Sequence, residues 1–252
     1  MLSEQTLEKL YTLKLNGMAD AFKEQLQQPN LDELSFEERF GFLVDRHWTW
    51  KEDNKLKRLL RNAKFKLNAC IEDIDYKAPR GIDKSVMMRL SACDWIKSGQ
   101  NIVITGPTGV GKTYLACAFG NQACRHGHSS IYRRSSKLFQ EIAIARADGS
   151  YPKLMKRIAK AQVLILDDFC ISEMKAAQRH DLLEVLEERP NLSSLILATQ
   201  VPIKEWFEMI GNPTVADAIL DRVIHNAHKI NLKGESMRKL RSSLTKKENR
   251  RK

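Results

Sequence analysis

From about residue 86 onward, short apolar runs alternate with longer amphipathic stretches. NIVIT (101–105), SSIYRRS (129–135), VLILDD (163–168), SLILATQ (194–200) and HKINL (228–232) are the apolar runs. Runs this short, rich in β-branched residues, read as buried strands of a parallel sheet. Their alternation with helical stretches predicts an α/β fold, a sheet covered by helices.

Before about residue 75 the period is helical throughout. Ser3 is placed to cap a first helix carrying Leu7, Leu10, Tyr11 and Leu15 on one side and stopping at Asn16-Gly17. A second helix is expected from Met18 through Phe22 and Leu26 to Pro29. Ser35 and Glu38 have capping-box spacing ahead of RFGFLVDRHWTW, whose Trp48 and Trp50 are expected in the core. In KEDNKLKRLLRNAKFKL (51–67), Leu56, Leu59, Leu60, Ala63 and Leu67 share one helical arc. Lys51, Lys57, Arg58, Arg61 and Lys64 share the opposite one. Lys57, Arg58, Arg61 and Lys64 are therefore candidates for contact with DNA phosphates, against the alternative of a solvated surface. DYKAPRGIDKS (75–85) reads as a linker with a turn. The expected organisation is a helical domain over 1–75, an α/β domain over 76–240 and a basic, disordered tail over 241–252.

Charge and cysteines narrow the partners. The chain has 252 residues, a formal net charge of +11 and five cysteines. The positive excess points to a polyanion, nucleic acid or acidic membrane. The cysteines are odd in number and form no C-x-x-C pair, which argues against a disulfide framework or zinc site. The start MLSEQTLEKLYTLK has acidic residues and no long apolar core, so it does not read as a signal peptide, and no apolar run reaches bilayer length. A cytoplasmic protein is expected.

The chemistry lies in GPTGVGKT, residues 106–113. This is G-x-x-x-x-G-K-T between a predicted strand and a predicted helix, the context a phosphate-binding loop requires. Gly106, Gly109 and Gly111 let backbone N–H groups turn inward around an anion, with Pro107, Thr108 and Val110 completing the loop. The following helix N-terminus adds partial positive charge. Lys112 can reach the β- and γ-phosphates, and the Thr113 hydroxyl can ligate Mg²⁺. Asp167 and Asp168 end the strand VLILDD. Two adjacent carboxylates repel, which a fold tolerates where a cation or a reaction needs them. Asp167 suits the metal, and Asp168 suits a water attacking the γ-phosphate. No N-K-x-D motif reads guanine, so ATP is the expected nucleotide.

GPTGVGKT, LILDDF, SLILATQVPIKEWFE, ADAILDRVIHNAHKINLKGESMRK and RLLRNAKFK together resemble the IstB-like family. These are AAA+ ATPases encoded beside the transposases of bacterial insertion sequences, similar to the helicase loader DnaC and more distantly to the initiator DnaA. The resemblance implies sheet order 5-1-4-3-2, a small helical lid and an N-terminal helical domain that helps bind DNA. It implies that Lys112 and Thr113 form the Walker A pair and that Asp167 is the Walker B metal ligand. Asp168 takes the catalytic acidic position, where aspartate in place of glutamate suggests slow, switch-like hydrolysis. Thr199 or Gln200 matches sensor 1, with Thr199 preferred. Arg222 matches the arginine finger, with Arg189 as runner-up, and Arg238 matches sensor 2. The implied partners are duplex DNA, a cognate transposase and copies of the chain joined through bound ATP. The competing readings are a DnaC-like helicase loader and a small-molecule P-loop kinase; for the kinase no acceptor site is visible.

Overall fold

The computed structural model describes residues 2–28, 34–190 and 192–241. Of the expected basic tail, residues 242–252 lie outside the described residues, as does Pro29. The chain divides into two compact units, Met1–Arg58 and Leu59–Lys252.

The first unit contains α1 (Leu2–Thr12), α2 (Asn16–Gln25) and most of α3 (Phe36–Ala63). The turn between α1 and α2 differs from expectation. Lys14 takes the left-handed conformation (φ 60), and Asn16-Gly17 begins α2 instead of ending α1. Gly17 is needed for contact, not for a turn. A Cβ there would lie 2.6 Å from Cβ of Trp50 on α3, so only glycine lets the helices approach this closely. Gln25 Nε2 donates to the Arg39 carbonyl at 3.0 Å, tying α2 to α3 again.

The capping box forms as read. Ser35 Oγ accepts from the Glu38 N–H at 3.2 Å, and the Ser35 N–H donates to Glu38 Oε2 at 2.8 Å. The helix it starts runs unbroken for 28 residues, because nothing between Trp50 and Lys51 interrupts it. It ends at Ala63, since Lys64 turns left-handed (φ 55), so Leu67 lies beyond it. Trp50 stacks on His47 with ring centroids 5.7 Å apart, but Trp48 is 66% exposed, against its expected place in a core. The basic arc points outward as the pattern required: Lys57, Arg58, Arg61 and Lys64 are all exposed.

The second unit contains α4 (Lys84–Ser91), α5 (Asp94–Lys97), β1 (Asn101–Thr105), α6 (Lys112–Arg125), β2 (Ser130–Arg134), α7 (Ser135–Ala147) and α8 (Tyr151–Ala159). It continues through β3 (Val163–Asp167), α9 (Ala176–Glu187), β4 (Ser194–Thr199), α10 (Trp206–Ile210), α11 (Pro213–Ile224), β5 (Ala227–Asn231) and α12 (Met237–Arg241). The sheet is parallel, in the order β2-β3-β4-β1-β5. Read from the other edge this is 5-1-4-3-2, the order the resemblance implied.

Strand residues alternate between two cores. Val103, Ile131, Leu164, Leu166, Leu195 and Leu197 pack with α7 through α11 on one face. Ile102, Ile104, Tyr132, Val163, Ile165 and Ile196 pack with α4, α5 and α6 on the other. This two-sided burial is why the strands read as continuous apolar runs. Ala69, Ile71 and Ile74 are buried in the second core, with Phe65 packed against it, so the segment before the composition change at 75 joins this unit. Among the described residues no helix is long and apolar enough to cross a membrane.

Candidate functional site: a phosphate loop facing two aspartates

The loop between β1 and α6 has the backbone its glycines promised. Gly106 has φ 146, and a Cβ there would lie 2.4 Å from the Leu232 carbonyl oxygen just after β5. Any side chain would push the loop off the sheet. Gly111 caps α6 with φ 108, a conformation that opens the helix N-terminus toward the loop interior.

Lys112 folds back over the loop, donating from Nζ to the carbonyls of Gly106 and Pro107, each at 2.8 Å. Burial lowers its pKa, and the nearby charges of Asp167 and Asp168 counter that shift.

Asp167 ends the interior strand β3 and is 1% exposed. Its Oδ2 accepts from Thr113 Oγ1 at 2.9 Å, and its Oδ1 lies 3.2 Å from the same hydroxyl. Asp168, the next residue, leaves the sheet in the left-handed conformation (φ 56). That turn separates the two carboxylates. Asp167 stays on the strand end and Asp168 swings out to line a cavity of about 390 Å³ with Thr108, Gly109, Lys112 and Thr113. Larger hollows of about 740 and 760 Å³ lie around α8 and contain none of the loop. Converging acids and a glycine cradle mark the site better than size does.

The remaining expected residues fall in different places. Arg238, on α12, lines the cavity, and the Met237 N–H donates to the Gly109 carbonyl at 3.0 Å, docking this short lid on the loop. Thr199 is fully buried and does not line the cavity. Its hydroxyl donates to the Phe169 carbonyl and accepts from the Val201 N–H at 3.1 Å. Gln200 lines the cavity instead, its Oε1 accepting from Thr108 Oγ1 at 2.6 Å. Between the two alternatives, Gln200 is therefore the residue that faces the phosphate loop. Arg222 is exposed on α11, bonded to the Ala218 carbonyl at 3.1 Å and paired with Glu187 at 3.3 Å. It is not part of this chain's own cavity. Arg189, its runner-up, is 6% exposed and donates to the carbonyls of Ile158 and Ser194, both at 2.9 Å. Burial lowers its pKa to about 10. Both hydrogen bonds hold this guanidinium inside its own chain.

A family model described as "IstB-like ATP binding protein" matches residues 8–245. The chain belongs to this family. It is 47% identical over 239 residues to a protein of Sinorhizobium fredii named as an insertion sequence ATP-binding protein, covering 95% of this chain and 98% of that one. It is 44% identical over 203 residues to a protein named in the same way, from the insertion sequence IS1162 of Pseudomonas fluorescens, covering 80% of this chain and 88% of that one. Among solved structures, the DnaC helicase loader superposes with a TM-score of 0.54 at 19% identity, over 68% of this chain and 99% of that one. A structure of the initiator DnaA, bound to AMPPCP and single-stranded DNA, gives 0.54 at 15%, over 68% and 52%. These two likenesses establish a shared fold.

Within this IstB-like site, three contributors were not read from the sequence. Tyr132 on β2 donates its hydroxyl to Asp167 Oδ2 at 2.7 Å. Burial, then the Asp167 hydrogen bond, raises its pKa, so it stays a donor. Arg134, two residues on, lies 3.4 Å from Asp168. Arg80, buried in the expected linker, donates to the Val110 carbonyl at 3.1 Å and the Asp75 carbonyl at 2.6 Å, bracing the loop from outside. Only the pairing of β2 with β3 brings the first two to the acids, and nothing in SSIYRRS announces that.

The donor set suits Mg²⁺. One carboxylate and one hydroxyl, 2.9 Å apart, are what a metal that keeps waters and takes phosphate oxygens asks of a protein. Among the described residues there is no cluster of three or more His, Cys, Asp or Glu that could hold a metal, so a closed, all-protein metal cage is absent.

The Tyr132 hydrogen bond gives a test. Tyr132→Phe keeps the ring and removes the donor that orients Asp167. Loss of such an outer partner weakens metal binding by about 10-fold or more. Titrating Mg²⁺ against a fluorescent ATP analogue should show that shift, with unchanged nucleotide binding in EDTA. An unmoved Mg²⁺ midpoint would remove Tyr132 from the site.

Proposed function

We propose that this protein is an ATPase switch that assembles on duplex DNA and assists a transposase in choosing its target. One observation carries the ATP reading: Lys112, the Thr113–Asp167 pair and Asp168 converge on one glycine-built loop. Loop N–H groups and the α6 N-terminus receive the phosphates, and Lys112 exchanges its two carbonyl partners for phosphate oxygens. Asp167 and Thr113 would hold Mg²⁺, which would supply positive charge against the developing charge of the phosphates. Asp168 orients a water whose oxygen bonds to the γ-phosphorus as the bond to the bridging oxygen of ADP breaks. An aspartate reaches less far than a glutamate would, which suits slow turnover.

Arg222 is offered to the nucleotide of a neighbouring copy, because its exposed position on α11 leaves it outside its own cavity. Arg238 contacts the phosphates of its own chain from the lid. Duplex DNA is met through the exposed Lys57, Arg58, Arg61 and Lys64, as non-specific phosphate contacts. Relatives named for insertion sequences support the transposase as partner. The alternative, a helicase loader, shares the fold of DnaC but leaves that outward basic arc without a role.

Sedimentation with duplex DNA, with and without ATP and Mg²⁺, tests the proposal. ATP is expected to shift the protein into a large DNA-bound species, and Arg222→Ala to lose most of that shift. A protein that stays monomeric on DNA under all conditions would refute assembly. Capture of a replicative helicase but no transposase would favour the loader.

A further inference from the structure

We infer that the ATPase unit carries a second phosphate-contact surface, a groove between α8 and the end of α3 that fits one backbone of duplex DNA. The inference rests on the duplex-binding reading above, shares Lys64 with it and adds the basic stripe of α8, which the sequence pattern did not mark.

Two adjoining hollows make the groove, of about 740 and 310 Å³, sharing Lys64, Arg133, Arg157 and Lys160. The larger is lined by six cations and a single carboxylate, Glu141. Glu141 is already occupied, 2.9 Å from Arg133 Nε and 3.5 Å from Arg157. One carboxylate cannot offset both arginines, so positive charge is in excess throughout, most of it on Lys64, Lys153, Lys156 and Lys160, all exposed.

Their arrangement follows from the helix. Lys153, Lys156, Arg157 and Lys160 fall at i, i+3, i+4 and i+7, one stripe along α8 and its C-cap. The opposite side, Leu154, Met155 and Ile158, is buried. Seven residues of helix cover ~10 Å, about three phosphates of one strand of B-form DNA. Lys64 comes from the other wall, where its left-handed backbone ends α3.

The lining also discriminates between partners. Neither hollow has an aromatic side chain. Single strands are held largely by base stacking on aromatic rings, so the groove suits a duplex backbone better. With its apolar residues turned inward, α8 also lacks the apolar face that binding in a bilayer interface needs. Long exposed lysines give charge without fixed geometry, which suits contact with any sequence.

The test compares full-length wild type with Lys153→Gln/Lys156→Gln/Lys160→Gln, using a fluorescent duplex across a salt series. Each lost phosphate contact lowers the magnitude of the log Kd against log salt slope by about 0.9. The triple variant is therefore expected to lower it by about 2–3, with melting temperature and basal ATP turnover unchanged. A variant that keeps the wild-type slope while wild type binds duplex would overturn the groove and leave the duplex reading standing. Wild type that fails to bind duplex at low salt would overturn both. Lysine-dependent binding to anionic vesicles or single strands, with duplex binding unaffected, would also overturn it.

Discussion

Lys112→Ala is expected to abolish measurable ATP binding at micromolar protein. The wild-type ammonium is held 2.8 Å from two loop carbonyls, at the mouth of a cradle of inward N–H groups. Charge-assisted hydrogen bonds to phosphate contribute about 1.5–3 kcal/mol each, so losing two costs on the order of 100-fold in affinity or more. The fold should be indifferent. Alanine is the best helix former, and position 112 is the first residue of α6. The unliganded melting temperature should therefore stay close to wild type. The ATP-dependent rise in melting temperature, which follows the logarithm of ligand over Kd, should vanish. Titration calorimetry and thermal melts with and without ATP and Mg²⁺ measure both. Affinity within about threefold of wild type would mean that the phosphates do not lie under Lys112.

Asp168→Asn is expected to separate binding from turnover. Asn is the right substitution because Asp168 is left-handed (φ 56), and asparagine is one of the few side chains that tolerates that backbone. The shape and the hydrogen-bonding capacity on one oxygen survive; the charge that polarises water does not. Loss of a positioned acid–base group typically costs 10²–10⁴-fold, so phosphate release in a single turnover should fall by about that much. ATP affinity should change by only a few fold, since Thr113, Asp167 and Lys112 are untouched. The ion pair with Arg134 is half-exposed, and its loss should cost about 1 kcal/mol or less. Assemblies on DNA that need bound ATP should persist longer in this variant. Undiminished hydrolysis would place the attacking water under another group.

The two predictions differ in how much of their basis could be read from the sequence. GPTGVGKT specifies its own backbone, because the close approach of Gly106 to Leu232 and the φ of 108 at Gly111 are conditions that favour glycine. The strands were legible for a similar reason. Burial on both faces makes β1, β3 and β4 nearly continuous apolar runs, and NIVIT coincides with β1. Helix ends were less legible, because their signals are ambiguous. Asn16-Gly17 has the composition of a stop, yet glycine was wanted there for contact with Trp50. The left-handed positions that end α3 and follow α1 went to lysines, Lys64 and Lys14. A tryptophan does not reveal whether it is buried, and Trp48 is not.

By itself the sequence determined the parts that are local in the chain. These are the phosphate loop, the strand-ending acids, the capping box at Ser35 and the membership in the IstB-like family, which spans residues 8–245. Tertiary structure decided everything that depends on the register between distant strands. Pairing Arg134 with Asp167 across β2 and β3 brings Tyr132 to one acid and Arg134 to the other. The end of β4 buries the Thr199 hydroxyl and gives the cavity Gln200. The fold likewise buries Arg189 while leaving Arg222 outside, and sets Lys64 opposite the lysines of α8. Backbone conformation is set by near neighbours, and so a motif can encode it. The partner of a side chain is set by a contact whose other half lies tens of residues away.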